Sequence, residues 1–172
     1  NFASNTVTLS AWIKPTATRS DIGGLIFARG GGTLATGLHL TASNELRYYW
    51  NDQNYGFSSG MTVTNNEWSH VALVVTPSQA RLYLNGRVAT HTSTHNVVNF
   101  VQPFNFGVDP TSNGRTFIGH MDEVCIYDRA LSTTEIRELM HLTKDPADDE
   151  SLKAYYQFNS PDPLTDVDKA GN

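Results

Sequence analysis

The sequence predicts an all-β fold, two antiparallel sheets packed as a sandwich, on three observations. Short β-branched and aromatic runs recur at close spacing. Nearly every gap between them holds Gly, Pro, Asn or Ser turn chemistry, with 13 Gly and 7 Pro in the chain. Most runs also alternate apolar with polar residues, the period of a strand with one buried face. A chain of 172 residues, 39% of them apolar, is one domain long, or one domain plus a fragment, and buries about 70% of its unfolded surface without a staple.

Charge and hydropathy exclude two classes of partner. Twelve Lys plus Arg against 17 Asp plus Glu leave a net charge of −5. The basic residues are scattered singly, so the electrostatic stripe that a nucleic-acid partner requires is missing. The longest purely apolar run, residues 71–75, falls far short of the roughly 18 that span a bilayer, so no membrane insertion is expected. Residues 1–10 lack the basic and apolar regions of a signal peptide, which suggests a mature or excised piece. The single cysteine, Cys125, makes no intrachain disulfide and leaves the redox compartment open.

In chain order the pattern predicts strands over residues 6–13, 24–28, 37–41, 45–50, 69–76, 80–84, 87–91, 104–108 and 123–127. Leu38 and Leu40 oppose His39, and Leu46, Tyr48 and Trp50 oppose Arg47, Tyr49 and Asn51. Residues 71–75 are apolar on both faces, as in a central strand covered on each side. Asn85-Gly86, between alternating arms, predicts a type I′ hairpin, because both residues tolerate positive φ. In its first arm Leu82 and Leu84 share one face while Arg81 and Tyr83 share the other. One helix is predicted, about 133–141: Ser132 and Glu135 have capping-box spacing, Leu131 and Ile136 staple spacing, and Ile136, Leu139 and Met140 continue an apolar stripe. Its expected role is to cover a sheet edge after the last strand.

Certain stretches, in order, resemble one family. Thr8-Leu9-Ser10-Ala11-Trp12-Ile13-Lys14-Pro15 is similar to its early Trp-containing strand, and Glu67-Trp68-Ser69-His70-Val71-Ala72-Leu73 to its central strand. Leu82-Tyr83-Leu84-Asn85-Gly86 resembles its hairpin, and residues 117–132, with Met121-Asp122-Glu123-Val124 at their centre, resemble its closing element. These are the motifs of the laminin G-like or concanavalin A-like jelly roll, in its bacterial and pappalysin-associated form. The resemblance implies a jelly-roll sandwich, secreted or displayed at the cell surface, that binds a glycan or an extracellular protein as an accessory or adhesion module. It also implies other domains in a larger parent protein. The alternative is a structural or adhesive spacer without a small ligand.

Family modules open with a strand that nothing before residue 1 supplies here. A similar stretch, Leu152-Lys153-Ala154-Tyr155-Tyr156-Gln157-Phe158-Asn159, lies near the other end. The expected division is therefore a jelly-roll body over 1–143, an acidic linker over 144–151, and an opening-type strand and loop over 152–172 that completes the same sandwich or begins a second module. Completion is favoured, in cis or between chains, because an orphan strand would expose Tyr155, Tyr156 and Phe158.

Candidate chemistry follows from residue types. Glycoside hydrolysis needs a pair of carboxylates flanking the bond, and no strand carries them in alternation. Asp122 and Glu123 are adjacent and should point to opposite faces. No nucleophile elbow occurs, and Cys125 has no motif tying it to a histidine, so no enzyme is expected. Cys125 sits where the family motif often has Arg and is expected half-buried and inert. His91 and His95 read as a turn pair rather than a metal site, since the region is not helical. Trp12, Trp50 and Trp68 are expected in the core.

Sugar binding needs exposed aromatic planes and amide or guanidinium donors. On the polar period of their strands, Arg47, Tyr49, Asn51 and Tyr83 are the candidate ligand-binding residues, beside the amide-rich run Asn51-Asp52-Gln53-Asn54-Tyr55. The resemblance further implies a structural Ca²⁺ held by Asp122 of the closing strand with Asn159 and Asp168 of the opening region, where Asn159 replaces the family's Asp. Hard oxygen ligands suit that ion, while Asp122 as a backbone-amide acceptor is the equal alternative.

Overall fold

The computed structural model describes residues 2–30, 33–53, 57–101, 103–110, 115–143, 145–159 and 168–170. The strands are β1 (Phe2–Ser4), β2 (Val7–Pro15), β3 (Gly23–Gly30), β4 (Thr33–Leu40), β5 (Leu46–Tyr49), β6 (Ser69–Thr76), β7 (Gln79–Leu84), β8 (Arg87–Thr92), β9 (Val98–Phe100), β10 (Asn105–Phe106) and β11 (Gly119–Tyr127), followed by helix α1 (Thr133–His141) and β12 (Leu152–Tyr156). Among the described residues they form a six-stranded sheet in the order β12-β11-β2-β6-β7-β8, a four-stranded sheet β10-β3-β4-β5, and a ribbon β1-β9. All the ladders are antiparallel.

Alternation decides what each sheet buries. Val7, Leu9, Ala11 and Ile13 of β2, Val71, Leu73 and Val75 of β6, and Leu82 and Leu84 of β7 face Leu38, Leu40, Leu46, Tyr48 and Trp50 of the other sheet in one continuous core. Residues 71–75 are buried throughout, as a central strand between β2 and β7 requires. Asn85 and Gly86 take φ of 47° and 78°, the left-handed pair of the predicted turn.

The predicted helix forms over Thr133–His141 with a reciprocal capping box between Ser132 and Glu135. Its position differs from the expected edge cover. Ile136 and Leu139 pack with Ala72, Val74, Tyr83, Cys125 and Tyr127, so the helix lies on the outer face of the six-stranded sheet and builds a second, smaller core there. Tyr83 is consequently fully buried, with its hydroxyl 3.1 Å from Thr133 Oγ1. It is not a surface ligand contact, because a helix covers the face that its strand period made polar. The same cover buries Cys125, which was expected half-exposed, and desolvation pushes its thiol pKa up.

The tryptophans divide. Trp50 is core, Trp12 is half-buried, and Trp68 is 44% exposed, against expectation, at the chain's approach to β6. β12 pairs with β11 within the chain, from Val124 opposite Tyr156 to Tyr127 opposite Leu152. β1 and β9, joined by the stacked rings of Phe2 and Phe100 at 4.7 Å, carried no strand signal long enough to read.

Candidate functional site

The four-stranded sheet turns its second face away from the core. Ile26 and Ala28, Leu38 and Leu40, Leu46 and Tyr48 point inward, so Phe27, His39, Arg47 and Tyr49 lie on the opposite side. Gly37 sits in register between Phe27 and Tyr49. A Cβ there would stand 2.1 Å from the Ile26 carbonyl oxygen, so only glycine fits. Across that gap the Phe27 and Tyr49 rings meet edge to face at 6.1 Å, and His39 lies 4.3 Å from Tyr49. The result is an aromatic row across three strands, in which Phe27 and His39 are buried and Tyr49 is half-buried.

Charged groups flank the row. Arg47, directly opposite His39, binds Glu45 through Nε at 2.9 Å and Nη2 at 2.7 Å. On the other flank Asp109, with no solvent exposure, takes Arg115 Nη1 at 3.0 Å and Arg29 Nη2 at 3.3 Å. Arg29 Nε is 2.9 Å from the second Asp109 oxygen but too poorly aligned to hydrogen-bond it. Arg115 Nε continues to Asp21 at 3.1 Å.

Backbone packing delivers Asp109. Gly107, at φ 72°, donates to the Leu25 carbonyl, and Arg115 O accepts from both Gly24 N and Asp109 N. A Cβ on Gly24 would lie 2.5 Å from Asp109 N, so the missing side chain is what lets this excursion close against β3.

The electrostatics favour binding over proton transfer. Burial, then the Arg47 and Arg115 charges, push His39 down to about 3. It is therefore neutral at neutral pH, and its Nδ1 is buried without a hydrogen-bond partner. Asp21 is held below the usual carboxylate range by the Ile22 amide and Arg115. Burial would raise Glu45, but hydrogen bonds from Ser58, Arg47 and Gly60 outweigh it and hold the group low. A general acid needs the opposite shift. The chemistry on offer is guanidinium donors held in place by carboxylates, beside aromatic edges.

Of the predicted ligand residues, Arg47 and Tyr49 join this face and Tyr83 does not. Asn51 lies in the turn after β5 with φ 52°, its backbone N–H donating to Thr36 Oγ1. Asp52 closes the same turn by accepting from Ala35 N at 2.9 Å. Asn54 and Tyr55 lie outside the described residues. The sequence reading missed Phe27, Arg29, Asp109, Arg115 and Asp21. Phe27 and Arg29 alternate with Ile26 and Ala28, a signal that was present. Asp109 gave none, since its partner Arg29 is 80 positions away.

The metal candidates stand apart in their bonding. Asp122 Oδ1 accepts from Glu123 N at 2.8 Å, and Asp168 Oδ1 from Tyr155 N and Ala170 N at 2.8 and 2.9 Å. Asn159 is exposed. Among the described residues no three or more His, Cys, Asp or Glu gather as a metal group. Alternation fails at Asp122-Glu123: the register against β2 slips by one residue there, and Glu123 adopts φ 49°. This bulge removes the basis for placing the two carboxylates on opposite faces. His91 and His95 are not a simple turn pair either. His91 lies in β8, and the Tyr48 hydroxyl bonds His91 Nδ1 at 2.8 Å and His95 Nε2 at 3.0 Å.

Solved structures share this fold. A Bacteroides ovatus protein inferred to bind carbohydrate superposes with a TM-score of 0.79 at 18% identity over 99% of this chain, which spans 51% of that protein. Domain 4 of an extracellular GH43 arabinanase from Geobacillus stearothermophilus, in complex with arabinotriose, gives 0.61 at 20% identity over 80% of this chain and 68% of its own. Trypanosoma rangeli sialidase with sialic acid gives 0.62 at 18% identity, over 80% of this chain and 23% of the enzyme. No curated protein matches. At these identities the likeness speaks for the fold alone. The sequence itself goes further, because the family model of the concanavalin A-like lectin/glucanases superfamily matches residues 1–137, and the chain belongs to that superfamily.

Proposed function

We propose that the chain is a non-catalytic, extracellular carbohydrate-binding module that seats a glycan on the outer face of the four-stranded sheet. One observation carries the reading: the half-buried Tyr49 ring, at the end of a row whose Phe27 and His39 are themselves buried, is flanked by Arg47, Arg29 and Arg115, each guanidinium held by a carboxylate. Pre-positioned donors beside a half-buried tyrosine ring suit the hydroxyls and the C–H face of a sugar. The fold neighbours described with arabinotriose or sialic acid support the ligand class.

The test is calorimetric titration with arabinotriose, sialic acid and a panel of other oligosaccharides. At least one should bind saturably, and Arg47→Ala and Tyr49→Ala should each weaken it by about tenfold or more at unchanged fold, the loss of one charge-assisted or stacking contact. Absence of saturable binding to every sugar would overturn the reading in favour of a protein-contacting module or a spacer.

Calcium at Asp122, Asn159 and Asp168 is a separate proposal, supported by their hard oxygens and opposed by the backbone amides that both carboxylates already accept. Added Ca²⁺ should raise the thermal midpoint over that in EDTA. An unchanged midpoint would dismiss it.

A further inference from the structure

The opposite sheet carries a cleft that the glycan reading does not use. It has a volume of about 470 Å³ and is lined by Glu123, Tyr155, Gln157 and Lys169 together with Leu142 and the segment 145–147. That volume lies within the range of small-molecule sites, about 300–1,000 Å³. Next to it, sharing Glu123, Leu142 and Pro146, is a recess of about 10 Å³ lined also by Trp12 and His70, roughly the room one water needs.

The polar groups here are organised. Glu123 sits at the β11 bulge in the left-handed region, at φ 49°, a conformation that strains a non-glycine residue. The Tyr155 hydroxyl donates to Glu123 Oε2, and Gln157 Nε2 donates to the Tyr155 hydroxyl at 2.8 Å and approaches Glu123 Oε1 at 3.4 Å. A carboxylate has about four acceptor sites, so this leaves acceptor capacity at Glu123. In the recess, His70 is 2% exposed with Nδ1 unpartnered, and Trp12 Nε1 is likewise buried without a partner. Buried polar atoms are seldom left so, and each calls for a water or a ligand group.

We infer that this cleft is a second ligand site, for a small neutral polyhydroxylated molecule of monosaccharide size. Glu123 accepts hydrogen bonds from its hydroxyls, Gln157 both donates and accepts, and the Trp12 and His70 recess takes one hydroxyl or the water that bridges to it. Among the described residues the lining carboxylates Glu123 and Asp145 outnumber the lining cation Lys169, which disfavours an anion. The site is on the other sheet from Arg47 and Tyr49 and stands or falls independently of them.

The experiment is a ¹H–¹⁵N titration of the chain with D-galactose, D-glucose and L-arabinose, with inorganic phosphate as the anionic control. The Trp12 indole N–H, identified by its loss in Trp12→Phe, and the Gln157 side-chain amide should shift saturably with at least one sugar. The shifts should persist in an Arg47→Ala/Tyr49→Ala double variant. Glu123→Gln and Gln157→Ala should each weaken binding by about tenfold, as expected for a lost charge-assisted or paired hydrogen bond. Should Glu123→Gln unfold through its bulge, Gln157→Ala at the rim decides alone. Shifts with no sugar, shifts with phosphate only, or sugar shifts that survive Gln157→Ala would overturn the site.

Discussion

Asp109 has no solvent exposure and faces two guanidinium groups, Arg29 across both its oxygens and Arg115 at Oδ2. Removing one partner of such an arrangement leaves buried charge uncompensated, which costs about 3–5 kcal/mol. Asp109→Ala should therefore lower stability by about that amount in urea melts, and should loosen Arg29 and Arg115 on the proposed glycan face. A loss near zero would show that solvent already screens the pair. His39 and His70 give a second expectation, in pH. Desolvation is the leading cause in both, taking His39 to about 3 and His70 to about 4 from an ordinary 6.5. The folded values lie below the unfolded one, so the unfolded chain takes up protons first. Stability is full above about pH 6.5 and falls with acid towards pH 4, by about 1.4 kcal/mol per pH unit for each histidine. Denaturant melts across that window should show the decline, and His70→Gln should make it shallower. A flat profile would mean that the imidazoles are charged or hydrated in the fold.

At the scale of elements, two joints hold the sites in place. Gly24 has backbone atoms of residues 108 and 109 where a Cβ would be, at 2.5 Å. Neither can yield as a flexible side chain does, so Gly24→Ala should separate the segment carrying Asp109 and Arg115 from β3. Sugar affinity should drop at the proposed face while the six-stranded sheet keeps its amide protection from hydrogen exchange. Loss of protection in both sheets would show that the joint is global. The second joint is Arg129, which binds Glu135 of α1, Asp149 and Ser151 Oγ, tying the helix start to the chain leading into β12. Its guanidinium holds Glu135 down to about 2 against the opposing effect of burial. β12 itself closes the sheet edge, with Tyr155 buried beneath the outer cluster. Tyr155→Ala should cost about 3 kcal/mol, the loss of a buried aromatic, shifting the thermal midpoint down by about 6–12 °C. A shift under a degree would mean that the strand contributes no packing.

For the whole molecule, legibility followed the range of the interactions. The central strand, the Asn85-Gly86 hairpin and the capped helix could be read because alternation, turn chemistry and caps act within a few residues. The short strands β1 and β9 carry three residues each, too few to show a period. Half of the candidate glycan face was readable for the same local reason: Arg47 and Tyr49 oppose Leu46 and Tyr48. The other half was not, since Arg29 meets Asp109 only through the fold. Tyr83 and Tyr49 make the difference plain. Both occupy the polar period of a strand, yet one packs under α1 and is fully buried while the other stays half-buried.

The sequence by itself determined the all-β class, the strands of the two sheets that exceed a few residues, the helix with its cap, and the family, because each is encoded in local pattern or in motifs that keep their order. Only the tertiary structure decided which outer faces are covered, that β11 bulges at Glu123, and which distant charges meet at Asp109. Those outcomes depend on where a helix docks, how a register slips and what a glycine lets approach, and none of these has a sequence period to announce it.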